Sequence, residues 1–444
     1  MTLFPTQPNI PSPTTAARPV TVPAPGVSAP LGADDAKRAR ILADAIRARF
    51  AQTLVGQDNL RESLIVTLVA GGHILIESVP GLAKTTAAQT LATCVSGSFK
   101  RVQCTPDLMP SDLVGTQVFD FASQKFTTQI GPIHANFVLL DEINRSNAKT
   151  QSAMLEAMAE GATTIGGQRI ALPKPFMVIA TENPIEEEGT FNLPEAQMDR
   201  FMMKAVMTYP SPDEEARMLD MLTRRGSDMI GPDTITGERI SVSDVDFLRK
   251  AARRVHVSDA IMRYAVDITA TSRGAGSRPI KGLSSLVRLG ASPRATIALT
   301  RIGQAKALLS GRDYVVPEDL KAFAHEVLRH RIMLTFEALA DGVVSNQIVD
   351  KIVETVLFRE FRFRSQEIEA LGTQLSLPTV RKALGALEGE HASGRRGGSG
   401  DAMDVHAYEP GDESRLIDWK TSARQGRPMV VERERLSTST GRGC

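Results

Sequence analysis

Between His73 and Ala180, short apolar runs of strand length alternate with helical periods, and this alternation is the tightest constraint on the fold. His73–Glu77, Phe99–Cys104, Phe137–Leu140 and Phe176–Ala180 read as strands. Lys84–Ser96 reads as a helix, as does Thr150–Glu160, closed by Gly161. Strands that are apolar on both faces and separated by helices belong to a parallel sheet covered on both sides, an α/β architecture. Two stretches interrupt the pattern: Thr116–Ile130, with apolar–polar alternation, and Thr163–Ile170, turning at Gly166-Gly167. Both are predicted to be hairpins. Ligands of open α/β sheets bind at the carboxyl ends of the strands, so the polar residues that close these strands are the first candidates for chemistry.

The flanks differ in character. Residues 1–33 hold eight prolines among Ser, Thr and Ala and predict a disordered tether. From Asp34 a helical period places Ile41, Leu42, Ala45, Ile46 and Phe50 together. Beyond about Tyr209 the periodicity is wholly helical. Ser211-Pro-Asp-Glu214 is a capping box, Ser292-Pro293 opens a helix that should stop near Gly311, and Pro317–Leu328 puts Leu320, Phe323, Ala324, Val327 and Leu328 on one face. Residues Ser393–Gly400 form a Ser/Gly/Arg linker, and the last stretch changes composition again. The chain therefore divides into a tether (1–33), an α/β core (34–208), a helical unit (209–355), a helix and linker (356–400) and a terminal fragment (401–444).

The first strand runs into Glu77-Ser-Val-Pro-Gly-Leu-Ala-Lys-Thr-Thr86. Lys84 and Thr85 supply the cation and the hydroxyl that a nucleoside triphosphate with Mg²⁺ requires, and N–H groups of the following helix would complete the anion site. Against the pattern G-x-x-x-x-G-K-[ST], Ser78 replaces the first glycine and Ala83 the second. Downstream, Phe137–Glu142 is an apolar strand ending in two carboxylates. Asp141 could hold Mg²⁺ and Glu142 could polarise a water, although acidic residues often simply end strands. Asn183 closes the next strand. Arg200, after the acidic segment Glu187–Asp199, could neutralise a transferring phosphoryl group or pair with Asp199 or Glu195. Arg294, in the first turn of a helix, opposes the helix dipole, which favours a functional reason for it.

Taken together these blocks resemble the MoxR family of AAA+ ATPases. The blocks are Val55-Gly-Gln57, "ESVPGLAKT", "CTPDLMPSDLVGT", "GPIHANFVLLDEINRS", "KTQSAMLEAMAEG", "VIATENPIEEEGTFNLPEAQMDRF" and "GASPRA", in order over roughly 37–355. The resemblance implies an AAA+ P-loop core followed by an all-α lid. It implies an ATP and Mg²⁺ site with Pro80, Gly81, Leu82, Ala83, Lys84, Thr85 and Thr86 around the phosphates and Val55, Gly56 and Gln57 by the adenine. Thr85 and Asp141 would hold the metal, and Glu142 would be the catalytic carboxylate. Asn183 would be sensor 1, Arg200 a finger into the next subunit, and Arg294 sensor 2 on the lid. The Thr116–Ile130 hairpin resembles the helix-2 insertion of this clade, which would face a central pore; the alternative is a plain surface excursion. Relatives carry PGLAKT or PGVAKT, so Ala83 is ordinary, whereas Ser78 is a departure.

The terminal segment Tyr408–Trp419 with "KTSARQGRPMVVERER" resembles an uncharacterised domain related to von Willebrand factor A modules, encoded beside MoxR proteins. Alone it buries too little to fold, so an irregular tail is expected. The expected activity is ATP hydrolysis driving the remodelling of a protein client, possible clients including a von Willebrand-A-type protein, within a homo-oligomer, a hexamer by family. The alternative is a scaffold that binds nucleotide and barely hydrolyses it. A net charge of +1 and no basic stripe argue against a nucleic-acid partner, and the "FRFR" run at Phe361–Arg364 reads as a solvated helix face. Three cysteines without metal spacing suit a reducing cytosol. No apolar run reaches spanning length, so a cytoplasmic protein is expected.

Overall fold

The computed structural model describes residues 31–54, 56–79, 82, 84–184, 190–191, 193–225, 237, 239–356, 358, 403–407 and 429–433. The Pro-rich tether up to residue 30, Val55, Pro80, Gly81, Ala83, the FRFR run, the linker and Trp419 lie outside them. Among the described residues nine strands precede the helical region: β1 (Ile74–Ser78), β2 (Phe99–Gln103), β3 (Gly115–Asp120), β4 (Lys125–Ile130), β5 (Phe137–Asp141), β6 (Ala162–Ile165), β7 (Gln168–Ala171), β8 (Met177–Glu182) and β9 (Met203–Met207). Five of them form one parallel sheet in the order β2-β5-β8-β1-β9. β3–β4 and β6–β7 are the two predicted hairpins. The edge strand β9 is not legible in the periodicity, because its Met-Lys-Ala-Val-Met sequence carries a single β-branched residue.

The sheet separates two cores, as the period of two along a strand requires. Ile74 and Ile76, Phe137 and Leu139, and Met177 and Ile179 face one side. Leu75, Val138 and Leu140, and Val178 and Ala180 face the other, against Leu155 and Met158 of the Ala148–Glu160 helix. That helix starts two residues earlier than predicted because the Asn147 side chain caps the N–H groups of Lys149 and Thr150. It ends at Gly161, whose φ of 60° is left-handed.

The first side is covered by α1 (Ala33–Phe50), α2 (Asp58–Ala70), α3 (Lys84–Cys94) and the later helices. In α1 the expected face is corrected: Ala39, Ala43, Ile46 and Phe50 are buried while Ile41 is exposed. Small alanines let α1 approach its neighbours closely, so Ala39 and Ala43, rather than Ile41, mark the inner face. The Pro293–Leu309 helix begins on its Ser292 cap, buries Ala295, Ala298, Leu299 and Ile302, and packs on α2. The Pro317–Leu328 stretch breaks at Ala322-Phe323 into two short helices, yet all five predicted residues are buried. The helical region also holds one small antiparallel pair, Val287–Leu289 with Met333–Leu334. Within the expected irregular tail, Met403–Ala407 pairs antiparallel with Met429–Arg433.

Candidate functional site

The carboxyl ends of β1, β5 and β8 bring together Lys84, Thr85, Asp141, Glu142 and Asn183. Lys84 opens α3 directly after the loop and donates from Nζ to the Ser78 carbonyl at 3.3 Å. Ser78 itself is buried, and its hydroxyl donates to the Val79 carbonyl at 2.8 Å. Thr85 Oγ1 lies 3.5 Å from Asp141 Oδ2, across the gap between the first helical turn and the end of β5. A hydroxyl facing a buried carboxylate is a hard-oxygen pair suited to Mg²⁺. Thr86 follows, half-buried, and Leu82 packs against the core.

Asp141 is held from two sides. Its Oδ1 accepts from Thr181 Oγ1 at 2.7 Å, and its Oδ2 accepts from Arg101 Nη2 at 2.6 Å and Nε at 3.2 Å. Glu142 sits in the left-handed region, φ 56° and ψ 54°, a conformation that few residues other than glycine adopt. Its N–H donates to Thr181 Oγ1 at 2.9 Å. Its carboxylate accepts from Gln103 Nε2 at 2.9 Å and Arg145 Nη1 at 3.3 Å. Thr181, fully buried in β8, therefore fixes both acidic residues with one hydroxyl, a role that sequence reasoning missed. Asn183 is buried two residues beyond, just past the end of β8, its carbonyl accepting from Asn144 Nδ2 at 3.4 Å. Behind it, Lys204 Nζ bridges Glu77 Oε2 at 2.6 Å and Glu182 Oε1 at 2.5 Å, tying β9 to β1 and β8. Burial alone would lower the Lys204 pKa, but Glu182 and Glu77 raise it.

Gly56 has φ 73°, and a Cβ there would meet the Glu214 carboxyl at 2.7 Å, so glycine is favoured where the approach to α2 meets the capping box of the Pro212–Arg225 helix. Gln57 Nε2 donates to the Thr208 carbonyl at 3.2 Å.

Arg200 and Arg294 lie elsewhere. Met202 donates its N–H to the His73 carbonyl at 2.8 Å, and Met203 pairs with Ile74, so residues 199–202 lie at the amino end of β1. The five residues of β1 separate that edge from the loop by about 13 Å. Asp199 is the hub there. Its Oδ1 accepts from Arg331 Nε at 2.8 Å, its Oδ2 accepts from Ser292 Oγ at 2.8 Å, and Arg294 Nη1 stands 3.9 Å away. This carboxylate offsets the unfavourable position of Arg294 at a helix start. Arg331, almost wholly buried, also donates to the carbonyls of Met202 and Phe201. Arg200 Nη1 donates to the Leu155 carbonyl at 2.5 Å. The carboxylates considered as its partners are engaged by other arginines, Asp199 by Arg331 and Glu195 by Arg288. Arg200, Arg294, Arg301 and Arg331 border one open cavity of about 360 Å³.

Residues 73–203 match the profile of the ATPase family associated with various cellular activities (AAA), and residues 283–352 match the AAA lid domain. Chaperone MoxR1 of Mycobacterium tuberculosis is 40% identical over 336 residues, covering 76% of this chain and 86% of that protein. The chain belongs to the MoxR family of AAA+ ATPases. Protein MoxR of Methylorubrum extorquens is 30% identical over 330 residues, 70% of this chain and 94% of that protein. A crystal structure from Cytophaga hutchinsonii, assigned to an ATPase, superposes with a TM-score of 0.68 at 38% identity, covering 73% of this chain and 97% of that one. Residues 404–439 match a protein of unknown function, DUF58. For a MoxR-type chain the family implies nucleotide binding, and the parallel sheet with its helical region is the expected frame. Among the described residues no helix is long and apolar enough to cross a membrane.

Proposed function

We propose that this MoxR-type protein binds ATP with Mg²⁺ at the edge formed by Lys84, Thr85, Asp141, Glu142 and Asn183, and hydrolyses it in a ring, most simply a hexamer, to remodel a protein client. The observation that carries the reading is the approach of Thr85 to Asp141 beside the Lys84 helix start. Lys84 would exchange the Ser78 carbonyl for the β- and γ-phosphate oxygens, and α3's first N–H groups would add to the anion site. Held between Thr85 and Asp141, Mg²⁺ would supply charge neutralisation on the phosphoryl oxygens. Glu142 would turn its carboxylate from Gln103 toward a water in line with the γ-phosphate, and Asn183 would hold that water or the phosphate. Arg200 and Arg294, at the opposite end of β1, would act on the nucleotide of a neighbouring subunit. Val55, Gly56 and Gln57 would border the adenine. The exposed Phe121 and Phe126 of the β3–β4 hairpin suit contact with an unfolded segment in a central pore.

A second reading, a scaffold that binds nucleotide and turns it over poorly, draws on the Lys84 to Ser78 contact, since a lysine held by a backbone carbonyl is not yet offered to phosphate. Steady-state ATPase measured against protein concentration separates the two. Specific activity that rises with concentration and vanishes in K84A supports the ring. ATP binding without turnover at any concentration supports the scaffold, and turnover in K84A equal to wild type overturns the site itself.

A further inference from the structure

We propose that Arg101 is the resident counter-ion of Asp141, holding that carboxylate until a divalent cation displaces it. This rests on Asp141 being the metal carboxylate. Arg101 lies within β2, which runs beside β5 with Gln103 opposite Asp141. Both of its contacts, at 2.6 and 3.2 Å, fall on Oδ2, the same oxygen that Thr85 faces. The other oxygen is taken by Thr181. The guanidinium and a cation shared with Thr85 therefore compete for one atom, and both are positive. Asp141 is buried and pinned by Thr181, whereas the Arg101 side chain is 48% exposed, so Arg101 is the group able to leave.

Its departure would not be silent. Arg101 Nη2 lies 3.4 Å from Gln103 Oε1, and Gln103 donates to Glu142. Arg101 thus touches one carboxylate directly and the other through Gln103, so a cation arriving at Asp141 loosens the hold on Glu142. Arg101 is a positioning residue, and its effect on the metal has a definite sign. A cation close to a carboxylate weakens its hold on a proton by one to three powers of ten; the same repulsion acts on a metal ion, and with Arg101 half exposed the expected effect is about tenfold.

The test is Mn²⁺ titration of the full-length chain by electron paramagnetic resonance, at saturating non-hydrolysable ATP analogue, for wild type, R101Q, R101K and D141N. R101Q should bind Mn²⁺ about tenfold more tightly, and R101K, with a weaker hold on Oδ2, by an intermediate factor. Thermal melts report whether each variant is folded, and R101K alone decides the sign if R101Q does not fold. Affinity equal to or weaker than wild type in the folded variants, with D141N weaker still, overturns the counter-ion role and leaves the metal site standing. Equal affinity in wild type and D141N overturns both.

Discussion

Replacing Thr181 by valine should disable the acidic pair without touching either carboxylate. The hydroxyl donates to Asp141 and accepts the Glu142 N–H. Valine leaves that N–H buried with no partner, about 1–3 kcal/mol, and removes a hydrogen bond to a charged acceptor of about the same size. Asp141 keeps Arg101, and the added methyl recovers about 1 kcal/mol of apolar burial, so the net loss is about 2–4 kcal/mol. Glu142 also loses the contact that holds it in the left-handed region, a conformation that costs about 1–2 kcal/mol and would relax once released. For a folded region of this size the melting temperature should fall by about 5–10 °C. A displaced water-positioning group should lower kcat by about a hundredfold with a smaller change in KM. Serine at the same position keeps both hydrogen bonds and should remain close to wild type. Thermal melts and steady-state ATPase on T181V and T181S decide the matter. Wild-type stability and kcat in T181V, or equal damage in T181S, would refute the reasoning.

Three further outcomes follow from the same geometry. Mixing K84A with R200A protein should restore ATPase activity that neither has alone, because mixed interfaces pair an intact loop with an intact finger; no recovery in the mixture would place Arg200 in its own subunit's site. K204M, which leaves Glu77 and Glu182 facing each other, should destabilise by about 3–5 kcal/mol in a melt, and a change under 1 kcal/mol would show that the cluster does not hold β9. Burial, with Arg249 adding to it, lowers the His73 pKa to about 4, and burial holds His330 well below 6.5 too. Below pH 6.5 the unfolded chain takes up protons on both that the folded chain does not, so stability should fall from pH 6.5 toward 4, with about 3 kcal/mol from His73. H73N should flatten that slope, and a slope unchanged in H73N would remove His73 as its source.

What could be read from the sequence was local. Four of the five strands of the sheet, the hairpin turn at Gly166-Gly167 and the Ser211 and Ser292 caps follow from periodicity and capping residues within a few positions. The approach of Thr85 to Asp141 was also legible, because strand ends of an open parallel sheet share one edge. Thr181 was not, since a buried threonine in a strand looks like any β-former until its hydroxyl is seen between two acids. Ile41 misled because bulk, not closeness of approach, dominates a helical period. The surroundings of Arg294 were hidden for a different reason: Asp199 and Arg331, which settle them, stand far away in sequence on separate elements.

Those surroundings bear most on how such a site could work. The side chains proposed to bind phosphate and metal gather at the carboxyl edge of the sheet, and the two arginines proposed to stabilise a transferring phosphoryl group gather at the amino edge. A gap of about 13 Å along β1 is longer than an arginine side chain, which favours the proposed reading that the two sets serve nucleotides of different subunits. Asp199 makes the amino edge a single unit: through Arg331 it fastens the carbonyls around Arg200, and through Ser292 it fastens the helix that carries Arg294. In the proposed ring, a neighbour that engages one arginine would move the other with it. Assembly, rather than any adjustment within the chain, would then complete the chemistry, and a shift of the helical region would reach the neighbour's phosphates through Arg294 and Arg200 together.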